Sequence, residues 1–245
     1  MNTAIRQSLL PTSSSSGHVS KGRTTGLFAA MTIAAVLAGC GDISITFGDD
    51  ESKVNGSGKP ATETRAVAAF TAIDASGIGR LKLRVGDDDS LKITADDNIL
   101  PLIKSEVKNG VLVLSTKGAK KSKNDIVFDV TAKTIKRLEN SGTVSIDAKG
   151  FSGGDLAVET SGVGSITLAG RVDSLNAELS GVGSLDADAL IADRVKTSLS
   201  GVGSASVRAE KSINGSVSGV GSLTWRGAAT DVSTSVSGIG RVSKG

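Results

Sequence analysis

The chain has 245 residues, of which 38% are hydrophobic and only 2% aromatic, with 31 glycines, one cysteine and one histidine. A single cysteine excludes an intramolecular disulfide framework. Because His18 and Cys40 both lie near the N-terminus, the remainder has no material for a Ser-His-Asp triad, a cysteine nucleophile or a Cys/His metal site. The 28 basic residues outnumber the 25 acidic ones only through Arg6, Lys21 and Arg23, the sole charges of residues 1–39, so the rest is balanced and lacks the basic footprint of a nucleic-acid binder.

Read in chain order, the first element is the apolar run Leu27–Leu37, "LFAAMTIAAVL", preceded by Lys21 and Arg23. Eleven residues are too few to span a bilayer as a helix but suit the core of a signal peptide. The run leads into "LAGC" at Leu37–Cys40, which resembles the bacterial lipobox, where a diacylglycerol is joined to the cysteine sulfur and the chain is cut just before it. The sequence is therefore read as a lipoprotein signal peptide over 1–39, a lipidated Cys40 with a flexible tether over 40–64, and a folded domain over 65–245. The tether reading rests on the polar, glycine-rich "GDISITFGDDESKVNGSGKPATET", which offers little apolar surface to bury. Gly41 follows the cysteine, and by analogy with enteric bacteria the absence of aspartate there predicts sorting to the outer membrane, with the membrane contacted through the lipid anchor.

The next stretch is strand-like without a tidy period. Strands are expected at 66–74, 80–85, 90–95, 102–107, 110–116 and 125–130, broken by "GDDDS", "DDNILP", "KNG" and "KGAKKSKN". "KNG" (108–110) between alternating apolar runs predicts a tight hairpin.

From residue 141 the chain repeats. "SGVGS" stands at 161–165, 180–184, 200–204 and 218–222, with "SGTVS" at 141–145 and "SGIGR" at 237–241. The leading serines, Ser141, Ser161, Ser180, Ser200, Ser218 and Ser237, step by 20, 19, 20, 18 and 19 residues. A repeat of this length marks stacked supersecondary units. Alignment yields apolar columns: Val163, Val182, Val202, Val220 and Ile239; Ile166, Leu185, Ala205, Leu223 and Val242; Leu156, Leu175, Val195, Ile213 and Val232; Thr160, Leu179, Leu199, Val217 and Val236. Recurrent glycine pairs disfavour helix by about 1 kcal/mol per glycine. The fold expected is all-β, a right-handed parallel β-helix-like solenoid with coils of about 19 residues after a strand-rich N-terminal portion, its interior filled by these columns. Gly162, Gly164, Gly181, Gly183, Gly201, Gly203, Gly219, Gly221, Gly238 and Gly240 are the structural repeat residues, placed where each rung bends and neighbouring rungs approach.

The order of residues 65–116, then "FDVTAKTIKRLENSG" (128–142), then the serine-glycine coils resembles the head GIN domain family, catalogued with autotransporter adhesin heads and common in Gram-negative envelope lipoproteins. The resemblance covers about Arg65 to Ser243. It implies a β-helix-like fold in the cell envelope and brings no catalytic residues with it.

The remaining chemistry is thin. "GDDDS" (86–90) could hold Ca²⁺ through oxygen ligands, but is read as a solvated turn, since the column Thr167, Asp186, Ser206 and Thr224 carries one carboxylate instead of a repeated acid. "GVGS" lacks the third glycine of a dinucleotide loop. "KGAKKSK" (117–123) is read as a solvated edge, and Trp225 as a core or cap residue. No catalytic residue, metal ligand or cofactor is assigned. The function expected is that of a non-enzymatic, lipid-anchored envelope protein presenting a β-helix surface to a protein or glycan partner, in adhesion or envelope organisation. The alternative is a carbohydrate-binding or carbohydrate-cleaving β-helix protein whose acids would be Asp186 with Asp188 or Asp147.

Overall fold

The computed structural model describes residues 54–116 and 122–245. They form one linked 16-stranded sheet system coiled into a β-solenoid, with all but a few pairings parallel. In chain order the strands are β1 (Pro60–Arg65), β2 (Ala72–Ala75), β3 (Ile78–Val85), β4 (Ser90–Asp96), β5 (Lys104–Lys108), β6 (Val111–Ser115), β7 (Val127–Ala132), β8 (Arg137–Asn140), β9 (Thr143–Ser152), β10 (Asp155–Thr160), β11 (Val163–Leu179), β12 (Val182–Leu199), β13 (Val202–Val217), β14 (Val220–Arg226), β15 (Asp231–Val236) and β16 (Ile239–Lys244). A 3-10 turn at Leu100–Leu102 precedes β5.

Two parallel ladders run the length of the solenoid. One stacks β7, β3, β9, the first part of β11, then β12, β13, β14 and β16. The other stacks β6, β2, β8, β10 and the later parts of β11, β12 and β13, ending at β15. The long strands β11, β12 and β13 belong to both, bending where the register shifts near Thr167–Ala169 and Ala187–Ile191.

The stacking order departs from chain order at one place. The β2–β3 coil sits between β6–β7 and β8–β9, so the chain enters at the second rung, leaves to build the N-terminal end, and passes back over its own first coil. The end it builds is antiparallel: β4 caps β7 and β1 caps β4, while β5 caps β6. Pro60–Arg65, whose first five residues fall in the stretch read from sequence as tether, is thus the outermost strand of this cap. The β5–β6 turn is the expected hairpin, with Asn109 (φ 52°) and Gly110 (φ 76°) as the two positive-φ residues that a tight loop matching the strand twist requires. The "SGIGR" of 76–80 is a further copy of the pentapeptide, in register with Thr143 and Val144 of the next rung; the segment read as aperiodic contains a coil displaced from the series by the inserted cap.

Three of the four aligned columns line the interior. Ile166, Leu185, Ala205 and Leu223 are buried, as are Leu156, Leu175, Val195 and Ile213, and Leu179, Leu199 and Val217. Val232 and Val236 are open, on a β15 that is paired on one side among the described residues, and Thr160 and Val242 are half-buried. The fourth column is a correction. Val163, Val182, Val202, Val220 and Ile239 point outward, with exposures of 48, 52, 51, 46 and 77%. The reason is parity: Val182 precedes the inward Leu185 by three residues, and alternate residues of a strand face opposite ways, so both cannot be inside. The inward place at the corner belongs to Gly183, and the neighbouring rungs come so close there that a Cβ would lie 1.8 Å from the Gly164 carbonyl oxygen.

Candidate functional site

The corner made by the pentapeptide is the most regular part of the exterior. Ser180 N–H and Gly181 N–H both donate to the Thr160 carbonyl (2.8 and 3.1 Å) and Val182 N–H to that of Gly162 (3.0 Å); the pattern repeats at Ser200, Gly201 and Val202 one rung on. A Cβ on Gly162, Gly181, Gly201, Gly219 or Gly238 would meet the carbonyl oxygen of the glycine one rung before at 1.9–2.1 Å. Those glycines let the backbones stack. Gly183, Gly203 and Gly221 combine positive φ with a preceding glycine's oxygen 1.7–1.8 Å from an added Cβ, Gly164 combines it with the Val144 oxygen at 2.2 Å, and a Cβ on Gly240 would lie 2.0 Å from the Gly221 oxygen.

This stacking sets out straight columns of side chains. Two residues before each leading serine, the outward position holds Asp74, Glu139, Glu159 and Glu178 on four successive rungs, then Ser198, Ser216 and Ser235. Next comes the serine column itself, from Ser76 to Ser237, all exposed. The aliphatic column of Ile78, Val163, Val182, Val202, Val220 and Ile239 follows, interrupted only by Thr143.

The acidic column therefore repeats an acid, in a different place from the column of Thr167, Asp186, Ser206 and Thr224. Its four carboxylates line a shallow groove of about 220 Å³ together with Asn140, Thr160 and Ser180. Adjacent rungs lie about 4.8 Å apart, and one neutralising contact is Arg137 to Glu139 at 2.8 Å. The signal was present as an acid two places before Ser76, Ser141, Ser161 and Ser180. It escaped notice because the column turns to serine halfway, and because the coil holding Asp74 stands apart from the others in the sequence.

The other sequence candidates are scattered. Asp188 is held in an ion pair with Arg226, accepts from Ser206 Oγ at 2.6 Å, and has Arg208 Nε donating to its backbone oxygen at 3.1 Å. This ties three rungs together, with the basic partner of Asp188 supplied from two rungs on. Asp186 caps the Asp188 backbone N–H (3.1 Å) and does not converge with it as a second free acid. Asp147 stands in the same column as Asp186 but two rungs away, with Thr167 between them; it is 3.3 Å from Lys149 and ends an alternating row Lys92, Asp129, Lys82, Asp147. In "GDDDS", Asp89 accepts from Lys133 N–H at 3.0 Å, and among the described residues no three His, Cys, Asp or Glu side chains are grouped to hold a metal ion.

Residues 117–121 of the lysine-rich segment and Cys40 lie outside the described residues. The rest of that segment closes over buried Asp96, which accepts from Ser122 Oγ (3.0 Å), Lys123 N–H (2.7 Å) and Asn124 Nδ2 (2.5 Å). Burial opposes ionisation of Asp96, and these hydrogen bonds outweigh it, holding its carboxyl below the ordinary aspartate value. At Asp193 the hydrogen bond and charge of Lys211, helped by Arg171 and Arg194, lower the carboxyl against desolvation. The described aromatics, Phe70, Phe128, Phe151 and Trp225, are all buried, and Lys244 Nζ lies 4.6 Å from the Trp225 ring centre, placing that residue in the core beneath the last coil.

A β-solenoid with glycine-stacked corners and an exterior of hydroxyl, aliphatic and acidic columns is the architecture of an adhesin-like head domain. The chain belongs to the family described as "Putative auto-transporter adhesin, head GIN domain", which matches residues 69–229. It is similar to the crystal structure of a "putative adhesin" from Bacteroides fragilis at 27% identity and a TM-score of 0.66, covering 78% of this chain and 99% of that one. A "putative lipid binding protein" from Parabacteroides distasonis shares the fold at 19% identity and a TM-score of 0.50, with 78% and 99% covered. No curated protein matches the chain.

Proposed function

We propose that this is a non-enzymatic protein of the bacterial cell envelope, lipid-anchored through Cys40 and sorted to the outer membrane, whose solenoid presents its outer corner to a protein or glycan partner in adhesion or envelope organisation. The observation that carries the reading is the exterior itself: in-register columns of short hydroxyl and aliphatic side chains, a surface suited to contact, with its aromatics turned inward. Family membership agrees with an adhesin-like role. The anchor rests on "LAGC" after the apolar run Leu27–Leu37. Cys40→Ser should abolish labelling by an alkyne fatty acid and release the protein from the membrane; equal labelling of both forms would remove the anchor from the account.

The competing reading, a carbohydrate-cleaving solenoid, now has a definite place, the groove along Asp74, Glu139, Glu159 and Glu178. Acid pairs that cleave glycosides stand about 5–9.5 Å apart, and neighbouring rungs bring carboxylates into that range. A cleaving pair also needs one acid kept protonated beside an ionised one. The groove around these four is lined by acids, hydroxyls and Asn140, and Arg137 pairs with Glu139. The purified protein should leave peptidoglycan, alginate, pectin and host glycans uncut, with or without Ca²⁺. New reducing ends that vanish in Glu159→Gln would establish the enzyme instead.

A further inference from the structure

The aliphatic column is the part of the pentapeptide that stacking does not explain. In the four SGVGS copies the glycines are demanded by carbonyl oxygens 1.7–2.2 Å from any added Cβ, whereas the central residue is 46–77% exposed on every rung where it is aliphatic. A hydroxyl residue is accepted at the same place, as Thr143 shows between Ile78 and Val163. Serine fills the neighbouring outward column throughout. Six exposed branched aliphatics in a line are therefore a feature of the surface, and contiguous exposed apolar surface on a soluble domain marks a contact site.

We propose that this ridge is the interface through which two copies of the chain pair, with their ridges antiparallel. The inference deepens the reading of the solenoid as a contact scaffold and rests on it. Three observations select a second copy. First, the ridge is self-complementary: one branched side chain per rung alternates along the axis with the gap between rungs. Two identical ridges offset by half a rung fill each other's gaps, the isologous geometry of a two-fold dimer. Second, the charges are arranged for it. The acids of the adjacent column, Asp74 to Glu178, occupy one half of the ridge's length, and Ser198, Ser216 and Ser235 the other. Antiparallel pairing sets Asp74, Glu139 and Glu159 of each copy beside Ser235, Ser216 and Ser198 of its partner, leaving only the middle-rung Glu178 opposite its own counterpart. The same acids would repel an anionic lipid surface.

Third, the area suffices for a modest dimer. Seven rungs at about 4.8 Å, three outward columns wide, give a footprint of roughly 600 Å² per copy and about 1,200 Å² in total, the lower end of specific interfaces. Such a contact is weak in dilute solution. It becomes populated when both copies are held in one plane.

The test uses the full chain in its native membrane, where Cys40 is the only native cysteine. Val182 occupies the middle rung of the ridge, so antiparallel pairing brings two copies of it together. Val182→Cys should give a crosslinked dimer with a bis-maleimide reaching about the 10 Å between packed sheets, while wild type and Lys211→Cys at the far bend of β13 should not. Ile239→Cys alone should stay monomeric, but co-expressed with Ile78→Cys should crosslink. Adding Val163→Lys and Val202→Lys to Val182→Cys should remove the dimer band without changing the far-UV circular dichroism. If Val182→Cys crosslinks no more than Lys211→Cys, or if Ile239→Cys crosslinks with itself as well as Val182→Cys does, antiparallel self-pairing is overturned. Either failure would leave the non-catalytic reading intact, since that is decided by turnover on polysaccharides.

Discussion

At Gly201 the space for a side chain is already occupied: a Cβ would sit 1.9 Å from the Gly181 carbonyl oxygen and 2.7 Å from the Ser180 carbonyl carbon. Relief would require separating two backbones, so Gly201→Ala should destabilise the protein by about 2–4 kcal/mol in denaturant unfolding. Its neighbour Val202, 51% exposed, should tolerate alanine with a change below about 0.5 kcal/mol. Adjacent residues of one motif thus differ in kind. The parity argument that separates them needs only the three-residue offset between Val182 and Leu185, which the sequence displays; what obscured it was the assumption that every apolar column faces inward. Thr197 is the opposite case, a residue 2% exposed whose hydroxyl has no hydrogen-bond partner. Its column neighbours are Ala177 and Gly215, so Thr197→Val keeps the shape and removes the orphan group. It should stabilise the protein by about 1 kcal/mol, read as a rise in the unfolding midpoint.

Among elements, the inner strands and the β5–β6 hairpin were legible because their signals are local: period-2 alternation, and an Asn-Gly pair that supplies two positive-φ residues. The position of β2–β3 between β6–β7 and β8–β9 was not legible, since it depends on pairing across some 65 residues of chain, for which no local propensity speaks. The same holds for β1, whose sequence "PATETR" is polar and becomes a strand only because β4 offers it an edge. The cap these strands form is fastened to residues 122–124 through Asp96. Since the folded-state carboxyl is held below its ordinary value, the ionised form is the one that stabilises. Its contribution is complete above the unfolded aspartate value of about 3.9 and is lost as pH falls through the lowered folded value. Asp96→Asn should therefore melt below wild type at pH 7, and the gap should close as the pH is lowered past 4. A gap independent of pH would mean that shape alone, and not charge, joins the cap to the solenoid.

For the whole molecule, the account divides labour between two sets of columns. The inward set, Ile166 to Leu223 and Leu156 to Ile213, holds the coils together, and the outward corner is free to be used. The most direct measurement is thermal unfolding of a variant in which Val163, Val182, Val202 and Val220 are all threonine, the residue already present at position 143. Threonine keeps the β-branched shape while removing the apolar surface. If the ridge serves contact and not stability, the variant should keep its far-UV spectrum and melt within about 4 °C of wild type, the shift expected for roughly 1 kcal/mol in a domain of this size. A fall of more than about 10 °C, equivalent to several kcal/mol, would show that the corner valines hold the solenoid together and would contradict the account.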